Sequence, residues 1–298
     1  MVAPRVRTRR LGCELHELRT TLSVVAKWLY PGSVAVRDVI STVLDVNSDF
    51  QVLVEHAIAH GVDEKTARTA AGRIVSGDVR LLGFSGKLAS GKDSVAAGVV
   101  RRLKLDPVVH YSFAKPLKDE VDEVLALLRQ GSAEQVPAAL QVNSGSRLDE
   151  VIDSARKALQ DDPTCDARTR TPDMRRVLQL WGTEIRRAQD YDYWVKRATV
   201  AVMGHVADGS HVFYTDGRFP NEITSSQQIG FVVFRLQVDP AVQAQRLSHR
   251  DGLELDPSAQ VHPSETALDD FSGFDLLVDN NGPFEHTVNI VVEWLQAR

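Results

Sequence analysis

The stretch VRLLGFSGKLASGKDSVAAGVV, residues 79–100, constrains the fold more than any other part of the chain. VRLLGF (79–84) reads as a short buried strand. Val95, Ala96, Val99, Val100 and Leu103 then recur at helical spacing, so a helix begins near Asp93. A strand that feeds a glycine turn and then a helix aims backbone N–H groups at one point. The helix N-terminus adds about half a positive charge there. Gly86 to Lys92 fits the phosphate-loop spacing G-x-x-x-x-G-K. The glycines let the backbone turn tightly around an anion, and Lys92 supplies a point charge for the outer phosphates. Gly86, Lys87, Ala89, Ser90, Gly91, Lys92, Asp93 and Ser94 are the candidate phosphate contacts.

One position departs from the pattern. Ser or Thr usually follows the loop lysine, and here the residue is Asp93. A carboxylate in the first helical turn complements the macrodipole and can cap the helix. It can also help to hold Mg²⁺, which would turn phosphate–carboxylate repulsion into attraction. The two readings are compatible, and Ser94 offers a hydroxyl as an alternative donor.

Further strands are expected at PVVHYSF (107–113), HVFYTD (211–216), FVVFRLQV (231–238) and DLLVDN (275–280), with helical patterns between them. Strand–helix alternation of this kind predicts an α/β domain with a mostly parallel five-stranded sheet covered on both faces. Residues 131–170 are rich in small and polar residues, with one helical patch near 148–160. They read as an insertion or mobile cover. Residues 1–78 show helical spacing and no alternating strand, so the expected division is an all-helical region over 1–78 and an α/β domain over 79–298. Within the first region His56 and His60 sit four apart. Without a third ligand they read as an ordinary helix surface.

The 298 residues carry a formal net charge of −5, and nothing global points to nucleic acid or a membrane surface as a partner. Arg5, Arg7, Arg9 and Arg10 read as a solvated end, and no apolar run follows them. Cys13 and Cys165 match no metal-ligand spacing. Both read as free thiols in a reducing cytoplasm.

Lys115 follows the second strand at the carboxyl edge, where open parallel sheets bind ligands. It reads as a phosphate contact or as a surface charge at a helix start. Asp216 ends the strand HVFY, where a metal-water ligand, a catalytic base or a turn cap would sit. Arg218 and Asn221 follow in a loop suited to base or phosphate contacts. Between Thr171 and Gln189, Met174, Val177, Leu178, Trp181 and Ile185 form a buried stripe. Arg175, Gln179 and Arg186 are expected to share one exposed face, with Arg187 beside them. That run is a solvated basic face or a phosphate site. Trp194 reads as core or as a base-stacking residue.

Six segments in order, GKLASGKDS, FAKPLKD (113–119), RRVLQLWGTEIRR (175–187), YDYWV (191–195), TDGRFPNE (215–222) and HPSETAL (262–268), resemble the phage-type deoxynucleoside monophosphate kinases, relatives of the P-loop nucleoside monophosphate kinases. The resemblance covers roughly residues 80–298. It implies a three-layer P-loop kinase fold and transfer of the γ-phosphate of ATP to a deoxynucleoside 5′-monophosphate with Mg²⁺. It tolerates Asp at the Asp93 position. Gly217 departs from the branched residue expected there. By this resemblance Lys92, Asp93, Asp216, Arg187 and Arg250 are the catalytic candidates, and Asp93 and Asp216 are the metal candidates. Arg246 and Arg250 would close a lid (about 246–265) over ATP, and His262 would lie within it. Lys115, Arg175, Gln179, Glu184, Arg187, Trp194, Asp216, Arg218 and Asn221 would contact the acceptor. The implied location is the cytoplasm, a host's if the protein is phage-encoded, and a homodimer is left open.

Overall fold

The computed structural model describes residues 48–251, with side chains through Ser248, and residues 266–297. The N-terminal arginines, Cys13, the side chain of Arg250, and His262 lie outside the described residues.

The sheet has five parallel strands: β1 (Leu81–Ser85), β2 (Val108–Tyr111), β3 (His211–Tyr214), β4 (Val232–Gln237) and β5 (Leu276–Asp279), in the order β2-β3-β1-β4-β5. Every strand was expected, and each begins and ends within about two residues of its sequence reading. All five residues of β1 are buried, as a central parallel strand requires. Alternate side chains of β1 enter different cores. Leu81 joins Val212, Tyr214 and Val233 on one face; Leu82 and Phe84 join Phe234, Leu236 and Val278 on the other.

The second face is covered by α3 (Lys92–Leu103) and α11 (Phe284–Gln296), through Val95, Ala96, Val99, Val288 and Val291. Helix α3 and α11 approach closely at Gly98, where a Cβ would stand 2.7 Å from both Phe284 and Val288. The first face is covered by the helix over 48–59 (α1), α2 (Glu64–Val75), α8 (Tyr193–Ala207) and α9 (Pro220–Gln228). Val54, Ala57, Ala67, Ala70 and Ala71 of α1 and α2 lie in the same core as Leu81 and Met203. The described part of the N-terminal helical region therefore forms a layer of the sheet's own core. Helix α2 begins where its sequence says it should, with the Asp63 carboxylate accepting from Thr66 N at 3.0 Å.

A separate apolar cluster joins α4 (Ala114–Arg129), α5 (Val136–Leu140), α6 (Ser146–Asp161), α7 (Pro172–Gln179) and a π-helical segment (Leu180–Arg187). Trp181 is fully buried there. Truncation of such a side chain costs about 3–5 kcal/mol. Residues 131–170 belong to this cluster through Val136, Leu148, Val151, Ala155, Cys165 and Ala167. They pack into this cluster mainly as helices, and burial pushes the Cys165 thiol up. Among the described residues no helix is long and apolar enough to cross a membrane.

Candidate active site

Because all five strands run the same way, the ends of β1, β2 and β3 meet at one edge, and the loop Gly86–Gly91 lies there between β1 and α3. Space dictates its glycines. A Cβ at Gly86 would fall 2.3 Å from Ser90 Oγ, and one at Gly91 would fall 2.6 Å from Asn280 Nδ2. Gly91 also has φ 83°, a left-handed conformation that glycine adopts without penalty.

The loop is held from behind. Gln243 of α10 (Pro240–Asp251) donates to Leu88 O at 2.7 Å, and Asn280 Nδ2 donates to Ser90 O at 2.7 Å. Arg246 donates to Asn280 O at 2.7 Å and reaches Ser90 O at 3.5 Å. In a trans peptide the C=O and the next N–H point in opposite directions. Anchoring the carbonyls of Leu88 and Ser90 thus aims the N–H groups of Ala89 and Gly91 away from α10. The first N–H groups of α3 add to them, since the first turn of a helix has no internal acceptor for them. Ser90 Oγ is buried and has no hydrogen-bond partner among the described residues. Amides, glycines without room for a Cβ and a helix N-terminus together make a fit for an anion such as a phosphate chain.

Lys92 opens α3 with its side chain 14% exposed and Nζ 3.9 Å from Asp93 Oδ2. Asp93 is not a cap: Gly91 holds the cap position, with no side-chain bond. Its Oδ1 accepts from Thr215 Oγ1 at 2.5 Å, which ties the start of α3 to the end of β3. The carboxylate itself is well exposed and in reach of a cation. Asp216 performs the capping that was one of its sequence readings, and does so for α4. It accepts from Ser112 Oγ at 2.6 Å, Phe113 N at 3.1 Å and Ala114 N at 3.0 Å. Gly86, Lys87, Lys92, Thr215, Asp216, Arg218 and Arg235 line one cleft. A hard cation held by one or two carboxylates, waters and phosphate oxygens suits Asp93 and Asp216.

No protein-family model and no curated protein matches the chain. Among solved structures it is similar to TT1252 from Thermus thermophilus, at 16% identity and a TM-score of 0.37, covering 74% of this chain and 97% of that one.

The remaining expected site residues divide. Arg218 lines the cleft. Its backbone N–H, with that of Phe219, is fixed by the buried Glu222 carboxylate. Arg187 does not offer its guanidinium as a phosphate fork. It pairs with Glu222, side chains 7% and 4% exposed, and lies 4.0 Å over the Phe219 ring. Burial outweighs that pairing and raises the Glu222 carboxyl above its usual range. Asn221 donates to Tyr191 O and Asp192 Oδ1, binding α9 to the turn before α8. Lys115 pairs with Asp119 across 2.5 Å on an exposed helix face. Glu184 pairs with Arg147 and Arg176.

Two expectations are corrected. Trp194 is core, 3% exposed, with Nε1 donating to Gly182 O at 3.0 Å, so no ring face is open for base stacking. Arg175 and Arg186 do not share a face. Arg175 is exposed on α7, whereas Arg186 is 4% exposed and donates to the buried Glu120 at 2.7 Å. The cause is the π segment, whose wider i→i+5 turns shift every later side chain away from the 3.6-residue frame. Glu120 also accepts from Trp181 Nε1, Tyr193 OH and Arg197, so the basic run is partly an internal network.

Thr215, Gln243, Asn280 and Arg235 were not singled out from sequence as site residues. For Asn280 the sequence signal was its place at the end of the apolar run DLLVDN (275–280).

Proposed function

We propose that the chain is an ATP-dependent phosphotransferase that converts a deoxynucleoside 5′-monophosphate to the diphosphate with Mg²⁺. One observation carries this reading: the Gly86–Lys92 loop, its carbonyls tied back by Gln243, Asn280 and Arg246, opens beside Asp216 and Arg218 at the carboxyl edge of a parallel sheet. Phosphoryl transfer depends on positioning and on fixed positive charge. Lys92 and the loop amides hold the donor's outer phosphates. Asp93, oriented by Thr215, and Asp216 are the groups that would hold Mg²⁺, which neutralises phosphate charge when bound. Arg218 faces the acceptor. Arg187 is a positioning residue: through Glu222 it fixes the backbone that carries Arg218. The order of the six sequence segments supports a nucleotide acceptor.

The test is a coupled assay of ADP release with each deoxynucleoside monophosphate in turn, with Mg²⁺ present. Acceptor-dependent turnover is the expected result. Turnover only with a non-nucleotide phosphorylated acceptor would replace this reading with a small-metabolite kinase. Saturable ATP binding without turnover would replace it with a nucleotide-binding regulatory module.

A further inference from the structure

Arg235 belongs to β4, in register with Ser85 at the end of β1, although the two lie 150 residues apart in sequence. Its side chain is only 11% exposed, yet it lines the same cleft as Lys87, Lys92 and Arg218. Contacts with Ser85, Phe274 and Asp269, among the described residues, hold it there. Nη1 donates to Ser85 Oγ at 2.9 Å, the guanidinium lies 5.6 Å from the Phe274 ring centre, and Nη2 stands 3.8 Å from Asp269 Oδ1. The last distance is an ion pair too long for a hydrogen bond. The other oxygen of Asp269 is taken by Lys87 Nζ at 2.8 Å. One exposed carboxylate therefore faces two cations of the cleft, one from the glycine loop and one from the neighbouring strand.

We propose that Arg235 and Lys87 form an anion seat in the cleft, suited to phosphate oxygens of a nucleoside triphosphate, and that Asp269 competes with phosphate for it. The proposal rests on the cleft being the phosphate site described above, and it adds Arg235, which the glycine-loop pattern does not contain, and a competitor for the loop's own Lys87. Arg suits the role because its planar fork can pass from a distant carboxylate to a phosphate without a change of charge. Ser85 and Phe274 hold the fork in place, so little side-chain freedom is lost on binding.

The test is calorimetric titration of the full chain with MgATP and, separately, with sodium tripolyphosphate, for wild type, Arg235→Met, Arg235→Lys and Asp269→Asn, with thermal melting as the control for folding. Arg235→Met should weaken both ligands about tenfold or more, and Arg235→Lys should restore part of that loss. Asp269→Asn should tighten both by about two- to fivefold, the scale of an exposed ion pair. A purely structural pair would move the variants in the same direction. Folded Asp269→Asn with unchanged or weaker binding overturns the competition, and folded Arg235→Met with wild-type affinity overturns the seat. Absence of wild-type binding overturns both this proposal and the phosphotransferase reading. Binding with the expected opposite shifts but no turnover overturns the phosphotransferase alone.

Discussion

The Asn280 side-chain amide donates to the Ser90 carbonyl across 2.7 Å, and its carbonyl accepts from the buried Thr287 hydroxyl at 2.7 Å. A residue at the end of the edge strand β5 thereby sets the peptide that precedes the loop lysine. Asn280 is 3% exposed, so its partners have no ready substitute from water.

Asn280→Ala should cost about 1–3 kcal/mol of stability, the range for buried polar groups left unpaired. It should also weaken MgATP binding, because the Ser90–Gly91 peptide loses its anchor. Chemical denaturation and calorimetry measure the two effects, and retention of wild-type affinity would detach Asn280 from the site.

Lys92→Ala should abolish turnover in the coupled assay. Asp93→Asn separates a metal role for that residue from its tie to Thr215, since an amide oxygen can still accept from Thr215 while the charge is gone. The expected outcome is a Mg²⁺ requirement raised about tenfold or more, in line with loss of a carboxylate near a hard cation. An unchanged Mg²⁺ dependence with a lowered melting temperature would leave Asp93 only its tie to Thr215.

Glu120 is the shared acceptor of Trp181, Arg186, Tyr193 and Arg197, with its side chain 8% exposed and that of Arg186 5% exposed. Glu120→Ala leaves a buried guanidinium without its carboxylate and should cost about 3–5 kcal/mol. Urea unfolding reads this directly. A loss below about 1 kcal/mol would mean that Arg186 finds another acceptor.

His56, on the α1 layer, has Nε2 3.1 Å from Ser225 Oγ, and its ring centre lies 4.1 Å from that of His60, the planes tilted by 33°. Burial, and then the neighbouring imidazole, lowers its pKa to about 4. The folded state therefore resists a proton that the unfolded chain accepts at pH 6.5. Its contribution to stability is complete above pH 6.5 and declines as the pH falls towards 4. Melting temperature against pH should lose that slope in part in His56→Gln, and an identical slope would assign it to other groups.

The sheet was legible because a parallel strand buried on both faces is a run of apolar residues whatever surrounds it. The glycine loop was legible because Gly86 and Gly91 are demanded by distance and backbone angle, which fixes their spacing. The helical annex was harder to read: α6 packs through Leu148, Val151, Ala155 and Ala158, and a stripe half made of alanine scarcely stands out in a polar segment. The destinations of Arg186 and Arg187 were out of reach for another reason. Helical periodicity assumes a 3.6-residue turn, and the π segment breaks it where the arginines fall. Nor does any local pattern announce that Glu120 and Glu222, far away in the chain, wait in the interior to receive them.

The order of the strands bears on how such a chain is made. Both neighbours of β1 arrive late: Leu82 lies beside Phe213 and Val232. During synthesis the first strand must stay unmatched while the whole helical annex emerges, a long-range closure of the kind that slows folding and exposes apolar edges. The annex, closed by contacts nearer in sequence, can condense first. The phosphate grip is thus among the last parts of the molecule to take shape, and a nascent chain halted before β4 would carry the glycine motif without the Gln243, Arg246 and Asn280 anchors behind it.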